Sequence, residues 1–144
     1  MWCSSYWVVS IVTFFGLVIC EERTAKLSSL QIGIKKRIAR ENCPYVVEKF
    51  DEVEVTYQGM LYKDNTEFDS NVGRDPFKVT VGTGQVIKGW DQGLIGMCEG
   101  EKRRLLIPAD LGYGSAGSPP KIPPDSDLIF DVELIKIHKF SKEL

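Results

Sequence analysis

Apolar and polar residues alternate with a period of two along most of this chain, the pattern of strands that bury one face. Leu30, Ile32 and Ile34 alternate with Gln31, Gly33 and Lys35, which predicts a half-buried strand ended by Asn42-Cys43-Pro44. Val53, Val55 and Tyr57 alternate with Glu54, Thr56 and Gln58 in a strand that continues through Gly59 towards Tyr62. Lys63-Asp64-Asn65 turns the chain back to Glu67-Phe68-Asp69, so these segments read as a meander. Phe77, Val79 and Val81 form the next set, and Arg104 to Ile107 a strand stopped by Pro108. The last strand is the clearest, with Leu128, Phe130, Val132 and Leu134 facing one way and Asp131 and Glu133 the other.

One segment breaks this period. Val86, Ile87, Trp90 and Leu94 fall at i, i+1, i+4 and i+8, one face of about two helical turns. Gly93 and Gly96 offer left-handed stops, while Gly82 and Gly84 loosen the approach. Several strands, one short helix and no repeats predict an α+β domain, an antiparallel sheet folded over the helix. From Gly112 to Pro124 glycines and prolines replace apolar periodicity, the composition of a surface loop of the kind that carries function.

Composition narrows the class. The 144 residues are 43% hydrophobic and 26% charged with a net charge of −2, values of one soluble globular domain without a nucleic-acid footprint. The short basic runs Lys35-Lys36-Arg37 and Lys102-Arg103-Arg104 read as solvated strand ends. Met1 to Cys20 holds no Lys, Arg, Asp or Glu, and its apolar run from Tyr6 is short for a membrane span. Val18 and Cys20 suit cleavage before Glu21, so residues 1–20 are read as a secretory signal peptide, with a retained anchor as the alternative. The division expected is 1–20 signal peptide, 21–29 polar segment, 30–139 folded domain and 140–144 tail. Cleavage leaves only Cys43 and Cys98, which in an oxidising compartment point to one disulfide, two buried thiols being the alternative. Ser141-Lys142-Glu143-Leu144 shares its Glu-Leu ending with retrieval addresses of the K-D-E-L type.

Little conventional catalytic chemistry is on offer. His138 is the only histidine, so a histidine triad or zinc site lacks partners and no metal is expected. Gly112 to Gly117 fits G-x-G-x-x-G, yet Pro119, Pro120, Pro123 and Pro124 follow and no helix can open there. What remains is a set of aromatics on separate segments, Tyr57, Phe68, Phe77, Trp90, Tyr113 and Phe130, which are either plain core or the lining of an apolar pocket.

The order of the segments separates these alternatives. Thr56-Tyr57-Gln58-Gly59, Phe68-Asp69-Ser70, Pro76-Phe77, Gly82-x-Gly84-Gln85-Val86-Ile87-Lys88-Gly89-Trp90, Gly112-Tyr113-Gly114, and Ile122-Pro123-Pro124 with Leu128-x-Phe130-Asp131-Val132-Glu133-Leu134 occur in that sequence. Together they resemble the FKBP-type peptidyl-prolyl isomerases, from Val53 to Ile137. Leu30 to Ile38, the Cys43/Cys98 pair and Gly93 to Lys102 are similar to the small single-domain members of the secretory pathway.

The resemblance implies an antiparallel sheet wrapped around one short α-helix, and a proline-binding pocket between them. Trp90 forms its floor, and Tyr57, Phe77, Val86, Ile87 and Phe130 its walls, with Phe68 and Ile122 near the flanking residues of the peptide. Tyr113 and the Ile87 N–H donate to ligand carbonyls, Asp69 accepts at the edge, and Arg74 pairs with Asp69. Ser118 and Lys121 depart from the family pattern and alter the flank, leaving the floor intact. The implied activity is isomerisation of Xaa-Pro bonds in unfolded or nascent polypeptides in the endoplasmic reticulum lumen or secretory route. The implied protein is a monomer, without cofactor, nucleic acid or lasting membrane span, inhibited by macrolides such as rapamycin. A proline-peptide or macrolide binding module with little turnover is the alternative. Rotation about the bond faces a barrier of roughly 18–20 kcal/mol, and a dry aromatic pocket favours the twisted amide without acids or bases.

Overall fold

The computed structural model describes residues 23–141, so the signal-peptide reading of residues 1–20 lies outside it, as does all but Ser141 of the retrieval reading of residues 141–144. Where the alternation was read, strands form: β1 (Gln31–Lys36), β2 (Glu52–Leu61), β3 (Glu67–Ser70), β4 (Phe77–Thr80), β5 (Lys102–Ile107) and β6 (Leu128–His138), with one α-helix, α1 (Lys88–Gly93). They make one antiparallel sheet in the order β1-β5-β6-β2-β3, with β4 paired to β2. The expected α+β class, a sheet with a single short helix, is the observed one.

The core follows the period. Val53 and Val55 of β2, Leu105 and Ile107 of β5, and Leu128, Phe130, Val132 and Leu134 of β6 are buried on the face that α1 covers with Trp90 and Leu94. Helix and sheet meet closely. A Cβ on Gly89 would lie 2.5 Å from Ile107, and one on Gly93 would lie 2.7 Å from Leu105. Gly93 is therefore the last helical residue, kept small by packing, and the left-handed stop comes at Gly96 with φ 80°. Val86 and Ile87 precede the helix instead of belonging to it.

Two further expectations are corrected. Ile32 and Ile34 are 45% and 39% exposed on β1, an edge strand paired only to β5; of the predicted inward residues, Leu30 alone packs partly against the core. Arg103 is no solvated strand end: it is 8% exposed, beside Glu101 at 4%. Its Nε lies 2.8 Å from Glu101 Oε1, and its Nη1 donates to the carbonyls of Gly93 (2.9 Å) and Ile95 (2.8 Å), which the end of α1 leaves free. Arg104 does face outward, forked onto Asp131 at 2.7 and 2.6 Å. That pairing holds the Asp131 carboxyl below its usual range.

A disulfide joins Cys43 to Cys98 across 55 residues, with Cα atoms 5.5 Å apart, as expected from the cysteine count. It ties the 3₁₀ turn after β1 to the turn after α1. Among the described residues, no helix is long and apolar enough to cross a membrane.

Candidate active site

Six aromatic side chains that lie far apart in sequence converge on one open cleft of about 580 Å³, a volume suited to a small ligand or a short peptide segment. β2 contributes Tyr57, β3 Phe68 and Asp69, β4 Phe77, α1 Trp90 and β6 Phe130. Tyr113 comes from the glycine- and proline-rich loop, and Gln85, Val86 and Ile87 from the approach to α1. Trp90, 4% exposed, is the hub. Its ring meets Phe130 at 5.3 Å and 87°, Tyr57 at 5.2 Å and 81°, and Phe77 at 6.3 Å and 72°. These edge-to-face contacts fix the ring's orientation. Among the described residues, its indole N–H is the one buried side-chain donor or acceptor without a hydrogen-bond partner. A tryptophan placed for packing alone has no use for such a cost.

The polar groups sit at the rim. Tyr57 Oη donates to Asp69 Oδ2 at 2.8 Å, and Asp69 Oδ1 accepts the Ser70 N–H at 2.9 Å. Burial, with the Asp69 carboxylate beside it, pushes the Tyr57 hydroxyl up to about 12. Burial and the same carboxylate raise Tyr113 as well. The expected Arg74–Asp69 pair does not form: the Arg74 guanidinium donates to the Ser70 carbonyl, and Asp69 takes Tyr57 instead.

Ten residues were expected at the site, and nine of them line the cleft: Tyr57, Phe68, Asp69, Phe77, Val86, Ile87, Trp90, Tyr113 and Phe130. Ile122 does not. It is buried in the core, its N–H and carbonyl paired with Ser118 at 3.0 and 2.8 Å. Gln85 lines the cleft though no role was read for it; its Oε1 accepts the Thr80 N–H at 3.1 Å. The signal was its place in the block between Gly84 and Val86. His138 lies at the end of β6, bonded to Glu54 at 2.8 Å, and takes no part. Among the described residues no three His, Cys, Asp or Glu side chains converge as a metal site would need. A second cavity, of about 500 Å³, opens between residues 23–26 and 123–127. The Asp127 carboxylate beside it is already taken by the N–H groups of Leu27 and Ala109.

A family model described as FKBP-type peptidyl-prolyl cis-trans isomerase matches residues 43–135, a stretch that contains both the cleft and the strands that shape it. The chain belongs to this family and is a peptidyl-prolyl cis-trans isomerase. It is 49% identical over 138 residues to the peptidyl-prolyl cis-trans isomerase FKBP2 of Bos taurus, covering 94% of this chain and 96% of that one. To the human protein of the same name it is 57% identical over 111 residues, 76% of each chain. The FK506-binding protein 2 of Yarrowia lipolytica is 51% identical over 132 residues, 90% of this chain and 91% of that one.

Proposed function

We propose that the aromatic cleft is where the isomerase acts, with the proline ring of an unfolded or nascent polypeptide seated on Trp90. Tyr57, Phe77, Ile87 and Phe130 enclose the ring, and Val86 and Phe68 extend the wall. The Ile87 N–H and the Tyr113 hydroxyl donate to substrate carbonyls, and Asp69, oriented by Tyr57, accepts at the rim. The observation that carries this reading is the convergence of six aromatics from separate segments on a single open cleft. In such surroundings the planar amide loses solvation that its resonance form relies on, whereas the twisted amide, with less charge separation, loses less. No proton moves, and no side chain needs to titrate.

The same cleft fits a macrolide inhibitor such as rapamycin, which we infer binds in competition with peptide. Residues 30–139 are the working unit, acting as a monomer. The Cys43–Cys98 bridge and the uncharged leader support residence in the endoplasmic reticulum lumen or along the secretory route. The test is a proline-peptide isomerisation assay on the protein and on Trp90→Leu, which keeps an apolar side chain at the floor. The variant is expected to lose at least about tenfold in kcat/KM, or 1.4 kcal/mol, and to bind rapamycin correspondingly more weakly. A folded Trp90→Leu protein that binds rapamycin like the parent refutes the assignment of the cleft. Tight binding by the parent without acceleration makes the cleft a binding module.

A further inference from the structure

Asp91 follows Trp90 on α1 and does not line the cleft. Its carboxylate reaches to the loop before the helix, where Oδ1 accepts the Gly82 N–H at 2.8 Å and Oδ2 accepts the Gly84 N–H at 3.1 Å. Both glycines are left-handed, at φ 78° and 76°, a conformation that glycine adopts without strain. From Gly84 the chain passes through Gln85, Val86 and Ile87, three residues of the cleft wall. It then returns to the helix, where the Ile87 carbonyl accepts the N–H groups of Trp90 (3.0 Å) and Asp91 (3.3 Å). The wall is thus a short span tied to Asp91 at both ends, upstream by the carboxylate and downstream by the backbone. The other side-chain bonds of this loop, from Thr83 and to Gln85, run to Thr80 and anchor it to β4 instead of the helix.

We propose that Asp91 is a positioning residue for the isomerase: by holding Gly82 and Gly84 it sets where Val86, Ile87 and the Ile87 N–H stand over the Trp90 floor. This rests on the reading of the cleft as the proline site and deepens it. The wall touches the planar and the twisted substrate alike, so its loosening weakens binding of both and falls on KM more than on kcat.

The test measures kcat, KM and the rapamycin Kd of the full chain carrying Asp91→Ala, Asp91→Asn or Asp91→Glu. Asp91→Ala is expected to raise KM and Kd about tenfold while kcat stays within about twofold. Asp91→Asn keeps one acceptor and turns an amide NH2 against the second N–H, giving a smaller rise in the same direction. Asp91→Glu returns both oxygens and brings KM and Kd to within about threefold of the parent. A folded Asp91→Ala protein with the parent's KM, a loss confined to kcat, or an Asp91→Glu variant as impaired as Asp91→Ala overturns the proposal. Should Asp91→Ala not fold, Asp91→Asn and Asp91→Glu decide, and equal KM values for the two overturn it. Trp90→Leu in the same series separates the two readings. If that variant is damaged and the Asp91 variants are not, only the positioning role fails; if Trp90→Leu binds rapamycin normally, the cleft itself is misassigned.

Discussion

Tyr57 shows how much one side chain settles in this cleft. Its ring packs on Trp90, Phe77 and Phe130, and its hydroxyl donates to Asp69. Burial and the carboxylate both disfavour the phenolate, so the folded-state value lies above the ordinary 10, at about 12. The sign follows: the neutral hydroxyl persists through the neutral range, and the stability linked to it is lost only as pH rises from about 10 through 12. With no histidine in the cleft, kcat/KM is expected to stay flat from about pH 6 to pH 8, read by initial rates on a proline peptide. A bell-shaped profile in that interval would mean that a proton is transferred after all. At this scale the sequence was legible for aromatics and poorly legible for long polar side chains. An inward position in a strand fixes where a ring goes, but Arg74 and Arg103 choose partners through geometry no spacing reveals.

Among elements, α1 is the informative one, because six residues are too few to hold a helix by its own hydrogen bonds. Packing on Leu105 and Ile107 supplies one support, and Arg103 supplies another by taking the free carbonyls of Gly93 and Ile95. Arg103→Met leaves Glu101 buried without its cation and is expected to cost about 3–5 kcal/mol in a urea titration. The double variant with Glu101→Met should recover only part of this, since the two carbonyls remain without their donor. Full recovery would show that the bonds to α1 contribute nothing. The short helix was legible from its apolar face and its stop from two glycines, but their reasons differ: the helix ends at Gly93, which answers to packing, and the left-handed turn comes at Gly96. For β1 the alternation told correctly which residues share a face. It held no information on whether anything covers that face, and Ile32 and Ile34 stay exposed.

For the whole molecule, the Cys43–Cys98 bridge closes a long loop while neither cysteine lines the cleft. In the chain-entropy picture a loop of this size contributes about 4 kcal/mol, less any strain. Reduction is therefore expected to lower the melting temperature by several degrees and to leave activity at low temperature largely unchanged, measured on the same sample before and after reductant. An equal loss of activity in the cold would place the bridge in the service of the cleft. The sheet's class was legible in advance because every strand announces its period; its order was not, because pairing depends on which faces fit once the chain has collapsed.

β6 pairs along its length with β2, joining Glu52 to His138 and Leu61 to Leu128, and from Leu128 to Glu133 with β5. Pairings between positions so distant along the chain form slowly, because large loops close before any contact rewards them. Among the described elements β6 is also the last to be synthesised. While a ribosome still holds it, β2 with β3 and β4, and β1 with β5, have no strand to join them, and α1 has only half a sheet to pack on. Maturation of this enzyme thus waits for one late step, in which β6 slots between two strands made before it. A chain cut short within β6 yields no smaller isomerase, only exposed apolar strands awaiting a partner.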